Sequence, residues 1–167
     1  TPFYAEGGGE VGDVGSISGA CVYDTKKTPD GKYYHFVEVK DGEIKSGDVV
    51  KASVCKRTRK LIQANHSATH LLDSALKGAL GDAVTQSGSY VSADRLRFDF
   101  TLDRAVTAEE LEKVEKEVNE KILEGLTTTW ETMPIAEAKK LGAVAVFGDK
   151  YGETVRVVTM GDASVEF

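Results

Sequence analysis

Asn65-His66-Ser67-Ala68-Thr69-His70-Leu71-Leu72 places two of the chain's three histidines four residues apart. At ~3.6 residues per turn this spacing stacks both imidazoles on one face of a helix, within reach of a single metal ion. The neighbouring residues predict that helix. Asn65 reads as its N-cap, Leu71, Leu72, Ala75, Leu76 and Ala79 as its apolar stripe, and Gly81 as its stop. Taken alone, the pattern fits two metal ligands and two satisfied core histidines equally. It does not fit a zinc metalloprotease, which needs a general-base Glu directly after the first histidine; Ser67 stands there.

Outward from the helix the pattern is mixed. Residues 1–60 read as β-rich. Glycine is dense from Gly7 to Gly19, which suits tight turns with positive φ. These glycines open no helix and are followed by no Lys-Ser or Lys-Thr, so they do not make a phosphate-binding P-loop. Strands are predicted at 20–25, 33–39 and 48–54, with turns at Thr28-Pro29-Asp30-Gly31 and Lys40-Asp41-Gly42-Glu43. His35 falls on the second of these strands, as a structural or exposed residue.

After the histidine helix come a strand at 83–91, interrupted by small polar residues, and an alternating strand at 95–100. A long helix follows, capped by Thr107 with Glu110 completing a capping box. Leu111, Val114, Val118 and Ile122 are its expected buried stripe and Gly125 its end. Glu109–Lys113, Glu112–Lys116 and Glu117–Lys121 are i,i+4 pairs on its solvated face. A strand at 126–132, a short helix opened by Pro134, and strands at 143–147 and 154–159 complete an α+β pattern. The expected division is a glycine-containing, β-barrel-like subdomain at 1–60 and a helix-and-sheet domain at 61–167, with the boundary near 59–63.

The bulk properties set limits. A chain of 167 residues, 41% of them hydrophobic, can bury a core, which argues against disorder. No apolar run approaches the ~20 residues of a membrane span. A net charge of −6 argues against a generally basic nucleic-acid binder. The one basic stretch, from Lys51 to Lys60, reads as a solvated strand edge. Cys21 and Cys55 are expected to be buried free thiols of a cytosolic protein.

Five motifs in order then point to one family. Thr1-Pro2-Phe3-Tyr4-Ala5-Glu6-Gly7-Gly8-Gly9-Glu10-Val11-Gly12-Asp13 resembles the glycine-rich opening of the editing region of alanyl-tRNA synthetases and their freestanding editing relatives. His66-Ser67-Ala68-Thr69-His70 resembles that family's zinc-binding motif. Gln86-Ser87-Gly88-Ser89, Arg95-Leu96-Arg97-Phe98-Asp99-Phe100 and Phe147-Gly148-Asp149-Lys150-Tyr151-Gly152 follow in the same order. The family also carries a Cys-Gly-Gly-Thr-His motif just after a Gly-Asp-X-Ser-X-Glu segment. Here Gly161-Asp162-Ala163-Ser164-Val165-Glu166-Phe167 closes the sequence, so the expectation is a piece of a longer protein without that second half of the metal site.

The resemblance implies hydrolysis of the ester that joins a wrong amino acid, serine or glycine, to the acceptor end of alanine tRNA. It implies zinc held by His66 and His70 as two of four ligands, and a pocket using Thr69, Gln86 and Ser89. With two ligands the expectation is a chain that is metal-free or partly loaded, with impaired activity. Arg97 and Asp99 either orient zinc ligands or pair with each other as structure, and the structural role is the one expected. The implied partners are the tRNA and the rest of a synthetase chain, in the cytoplasm, with no membrane. A non-catalytic tRNA-binding module, a structural piece that has lost its chemistry and a freestanding editing protein are the alternatives.

Overall fold

Alternating side chains build an open antiparallel sheet from the first third of the chain. Its strands are β1 (Gly15–Ile17), β2 (Ala20–Lys27), β3 (Tyr33–Glu38) and β4 (Ala52–Val54), in the order β3-β2-β1-β4. The computed structural model describes residues 1–81, 83–143 and 152–166. Ala20 and Val22 of β2 are buried, and a shift of register between Val22 and Asp24 then turns Thr25 inward instead of Asp24. β1 was hidden by its glycine. Gly15 lies so close to β4 that a Cβ there would stand 3.0 Å from the Cys55 amide nitrogen. The sheet stays open, and no closed barrel forms among the described residues. The strand expected at 48–54 begins only at Ala52. Cys21 is exposed rather than buried, because it points away from the face that Ala20 and Val22 cover.

The histidine helix, α1 (Lys56–Leu80), is longer than expected. It starts nine residues before Asn65, which is therefore an interior residue and not the cap; its side-chain amide donates to the Ser92 carbonyl at 2.8 Å. Arg57 through Ala64 contains good helix formers and no breaker, and buried Ile62 anchors this part. The basic stretch accordingly divides: Lys51 adjoins the edge strand β4, as expected, whereas Lys56 to Lys60 form the first turns of α1 and not a strand edge. Gly81 ends α1 with φ 87° and an amide bonded to the Lys77 carbonyl at 2.9 Å. Among the described residues no helix is long and apolar enough to cross a membrane.

Two units can be distinguished, Thr1–Ser67 with Gly88–Arg97 and Ala68–Ser87 with Phe98–Phe167. The division falls inside α1 and inside β5 (Thr85–Val91), and α1 runs unbroken through residues 59–63. β5 pairs with β6 (Leu96–Thr101). In the second unit, Ala75 and Leu76 of α1 meet Val84, Val114, Phe98 and Phe100 in one apolar cluster. Val114 comes from α2 (Ala108–Glu124), whose capping box of Thr107 and Glu110 and whose left-handed Gly125 end form as expected. Its stripe is narrower than predicted. Val114 and Val118 pack, while Leu111 and Ile122 are more than half exposed. Lys116 lies 3.9 Å from Glu120, and Lys121 reaches Glu124 and Asp162 at 3.2 and 3.1 Å.

A second sheet, β7 (Thr128–Pro134), β8 (Thr154–Met160) and β9 (Ser164–Glu166), is antiparallel in that order. Val155 and Val157 alternate inward and cover Ala138 of the short helix α3 (Ile135–Lys140). Residues 144–151, which hold most of the Phe147–Gly152 motif and of the strand expected at 143–147, lie outside the described residues.

Candidate functional site

The glycine-rich opening is a tied loop. At its neck the Asp13 amide donates to the Tyr4 carbonyl at 2.9 Å, and the Tyr4 amide donates to Asp13 Oδ2 at 2.6 Å. Arg59 of α1 closes a two-pronged pair on the same carboxylate, with Nε 2.7 Å from Oδ1 and an Nη2 nitrogen on Oδ2. Asp13 is buried, and its hydrogen bond raises the Arg59 pKa against the opposing effect of partial burial. At its tip Gly7 and Glu10 exchange both backbone bonds, at 3.1 and 2.9 Å, around Gly8 and Gly9 at φ 57° and 83°. Two successive positive φ angles are what a type I′ turn requires. The strand end of β5 lies alongside: Val11 donates to the Val91 carbonyl at 3.0 Å, and Val91 to the Gly9 carbonyl at 2.8 Å. A Cβ on Gly9 would stand 2.7 Å from the Ser89 carbonyl oxygen, so this position excludes every side chain.

This turn aims Glu10 at the helix. Glu10 is buried, and its Oε2 is paired with Nδ1 of His66. One turn further along α1, within the second unit, His70 Nδ1 is paired with Oε2 of Glu166. The Ser164 hydroxyl donates to the other Glu166 oxygen at 2.6 Å. Burial pushes the Glu166 carboxyl up, but the His70 bond and charge, the Ser164 hydroxyl and the Lys77 ammonium outweigh it and leave its pKa lowered. An ionised carboxylate only accepts hydrogen bonds, and an Nδ1 that faces one is then the donor.

The other expected residues divide between the units. Ser89, half-buried on β5, joins the glycine loop, its hydroxyl 3.4 Å from the Gly8 carbonyl. Thr69 is buried on α1 in the second unit, beside His70, and Gln86 is half-buried on β5. His35 is structural, bonded to the Thr1 hydroxyl at 2.9 Å and edge-on to Phe3. Cys55 is a free thiol that accepts the Thr58 hydroxyl, and this bond lowers its pKa. A cavity of about 210 Å³ opens in the second unit beside Asp73, Lys77, Ser164 and Glu166. Asp73 binds Lys77 through one oxygen at 2.6 Å, and its other oxygen is buried with no hydrogen-bond partner among the described residues.

Glu10, Asp13 and Glu166 stand inside motifs, and Arg59 in the basic stretch, without a local sign of the roles that the fold gives them. The available signal was a carboxylate at a fixed place in each flanking motif, of the kind that a ligand histidine needs behind it. Among the described residues, no group of three or more His, Cys, Asp and Glu side chains is gathered as a metal site. The donor chemistry of the helix pair nevertheless suits zinc: two imidazoles at i and i+4, each with Nδ1 held by a carboxylate.

The chain is thus an α+β protein with a tied glycine loop and two histidines on one helix, each facing a carboxylate. No protein-family model matches the chain. It is 52% identical over 99% of its length to the alanine–tRNA ligase of Acetivibrio thermocellus, 54% to that of Listeria innocua and 52% to that of Bacillus pumilus. The chain spans 19% of the length of each of these relatives. This similarity supports a segment of an alanyl-tRNA synthetase, an aminoacyl-tRNA ligase of protein biosynthesis.

Proposed function

We propose that this segment is the editing domain of an alanyl-tRNA synthetase and removes serine or glycine wrongly joined to alanine tRNA. The observation that carries the reading is the pair of carboxylate-backed histidines on α1, with buried Thr69 between them in sequence. In the reaction a water oxygen bonds to the ester carbonyl carbon and the bond to the ribose oxygen breaks. The water's proton ends on that oxygen, which gives the free amino acid and an uncharged tRNA. The ester is already activated, so the protein's task is to admit it and orient it. Zinc held by His66 and His70, with further ligands, would supply a positive charge that fixes the substrate's end.

Thr69 and Gln86 give the pocket its choice. A hydroxyl and an amide that bond the serine side chain are left unpaired when alanine enters, at a cost of roughly 1–3 kcal/mol for each buried polar group. Ser89 contributes through the glycine loop, whose tip it touches. Glycine offers no such handle, and its removal rests on other contacts. The partners are the acceptor end of alanine tRNA and the remainder of the synthetase, in the cytoplasm.

The test offers serine-charged and alanine-charged alanine tRNA to the chain, and to the chain joined to the family's Cys-Gly-Gly-Thr-His segment. The extended form is expected to bind zinc firmly and to hydrolyse the serine ester well above the alanine ester. The chain as it stands should bind zinc weakly and act slowly. Thr69→Val keeps the shape, removes the hydroxyl and should lower the serine-to-alanine ratio about tenfold. Binding of the tRNA without hydrolysis by the extended, zinc-loaded form would replace this reading with a tRNA-binding module.

A further inference from the structure

We infer that Glu10 and Glu166 are positioning residues that lock His66 and His70 in the tautomer whose Nε2 is offered to a metal ion. The inference rests on the metal role proposed above and names the groups that prepare it. Each glutamate accepts from Nδ1 of one histidine, and each pair is complete within its own unit. Neither contact is incidental. Glu10 stands at the closing position of the Gly7–Glu10 turn, and its backbone is fixed by the exchange with Gly7 and by the bridge to Val91. It is held at 8% exposure, a burial that a carboxylate tolerates only with a partner. Glu166 has its second oxygen occupied by Ser164, so the carboxylate cannot swing away without losing both bonds.

The chemistry follows from the tautomer. A free imidazole exchanges between Nδ1–H and Nε2–H forms, and only one of them offers a given nitrogen to a metal. A carboxylate behind Nδ1 removes the wrong form, fixes the ring plane and raises the basicity of Nε2. The two motifs that flank the histidine helix in sequence, the glycine-rich opening and Gly161–Glu166, thereby acquire a shared purpose. Each delivers one carboxylate to one ring.

The test has two independent readouts. Long-range proton–nitrogen correlation spectra of the metal-free chain at pH about 8 report which imidazole nitrogen is protonated. Nδ1–H is expected for both rings. Glu10→Ala should disturb His66 alone and Glu166→Ala His70 alone, while Glu10→Gln and Glu166→Gln, which keep an acceptor oxygen, should restore the Nδ1–H form. Calorimetric titration with Zn²⁺ alone should then show each alanine variant weakened about 10- to 100-fold, with the glutamine variants between it and the parent. Nε2–H rings in the unmodified chain would overturn the inference, as would alanine variants that leave both tautomer and zinc affinity unchanged. If the parent binds no Zn²⁺ but shows the expected tautomers and their selective loss, the carboxylates do position the rings and it is the metal role that fails.

Discussion

The two units solve the folding problem with different materials. In the first, the buried residues include Glu10, Asp13 and Thr25 alongside Phe3, Val22, Ile62 and Val91. In the second, Thr69 is the buried polar residue among the described ones, and Leu71, Ala75, Leu76, Val84, Val114, Val155 and Val157 do the packing. Polar groups hold only at defined distances and angles, whereas apolar groups hold wherever the volumes match. The first unit therefore fixes a loop backbone to a tight tolerance, which the delivery of Glu10 to a ring nitrogen needs. The second supplies bulk stability through its apolar clusters and holds its one positioning carboxylate, Glu166, by the Ser164 hydroxyl instead of a tied loop.

Substitutions can break that contrast, and the largest effect should be that of Asp13→Ala. It strands the Arg59 guanidinium and the Tyr4 amide together, and should cost about 4 kcal/mol in urea unfolding of the parent and variant chains. Leu76→Ala, at 3% exposure in the apolar cluster, should cost about 3 kcal/mol by the same measurement. If the leucine change costs clearly more than the aspartate change, the first unit is not held by its polar staple. Gly9→Ala should cost about 2 kcal/mol, from its left-handed φ and the Ser89 carbonyl in its way. It should also weaken the His66–Glu10 pair, visible as a shift of the His66 ring resonances with those of His70 unmoved.

Smaller effects sharpen the contrast from the other side. Thr107→Ala removes one half of the capping box on α2 and should cost about 1 kcal/mol in the same unfolding assay. The weakest lever is acid. The Arg104 guanidinium, with the Thr107 amide, lowers the Glu110 pKa from 4.5 to about 2. A lowered carboxyl pKa stabilises the fold above the unfolded value and ceases to do so as pH falls through the folded one. The contribution of Glu110 should thus be whole at pH 5 and lost near pH 2, and Glu110→Gln should flatten that part of the acid unfolding curve.

How legible each part was follows the same contrast. Helix α2 could be read almost residue by residue, because a cap, a capping-box Glu and a terminal Gly are local signals. β6 could be read from its alternation, and β2, β3 and β8 from short runs bounded by turn residues, for the same reason. The start of α1 could not. Asn65 is a good cap by type, but Arg57 to Ala64 is an equally good helix, and buried Ile62 with the Arg59–Asp13 pair decides for the longer form. β1 escaped because a strand glycine that admits a neighbouring backbone looks in sequence like a turn glycine. In the candidate site, the helix spacing of His66 and His70 was local and visible. Glu10 lies 56 residues from His66, and no periodicity spans that distance. Only the fold brings such a pair together.

The double tie of the glycine loop also bears on recognition. Tyr4 and Asp13 stand nine positions apart, and in an untied chain the glycine-rich residues between them would sample many shapes. Any ligand that settled against such a segment would first have to halt that motion, at roughly 1–2 kcal/mol for every residue it ordered. Here the neck and the tip are already closed by backbone bonds, so the ordering is done during folding. What reaches the loop meets a finished surface, and its binding free energy is spared that entropy loss.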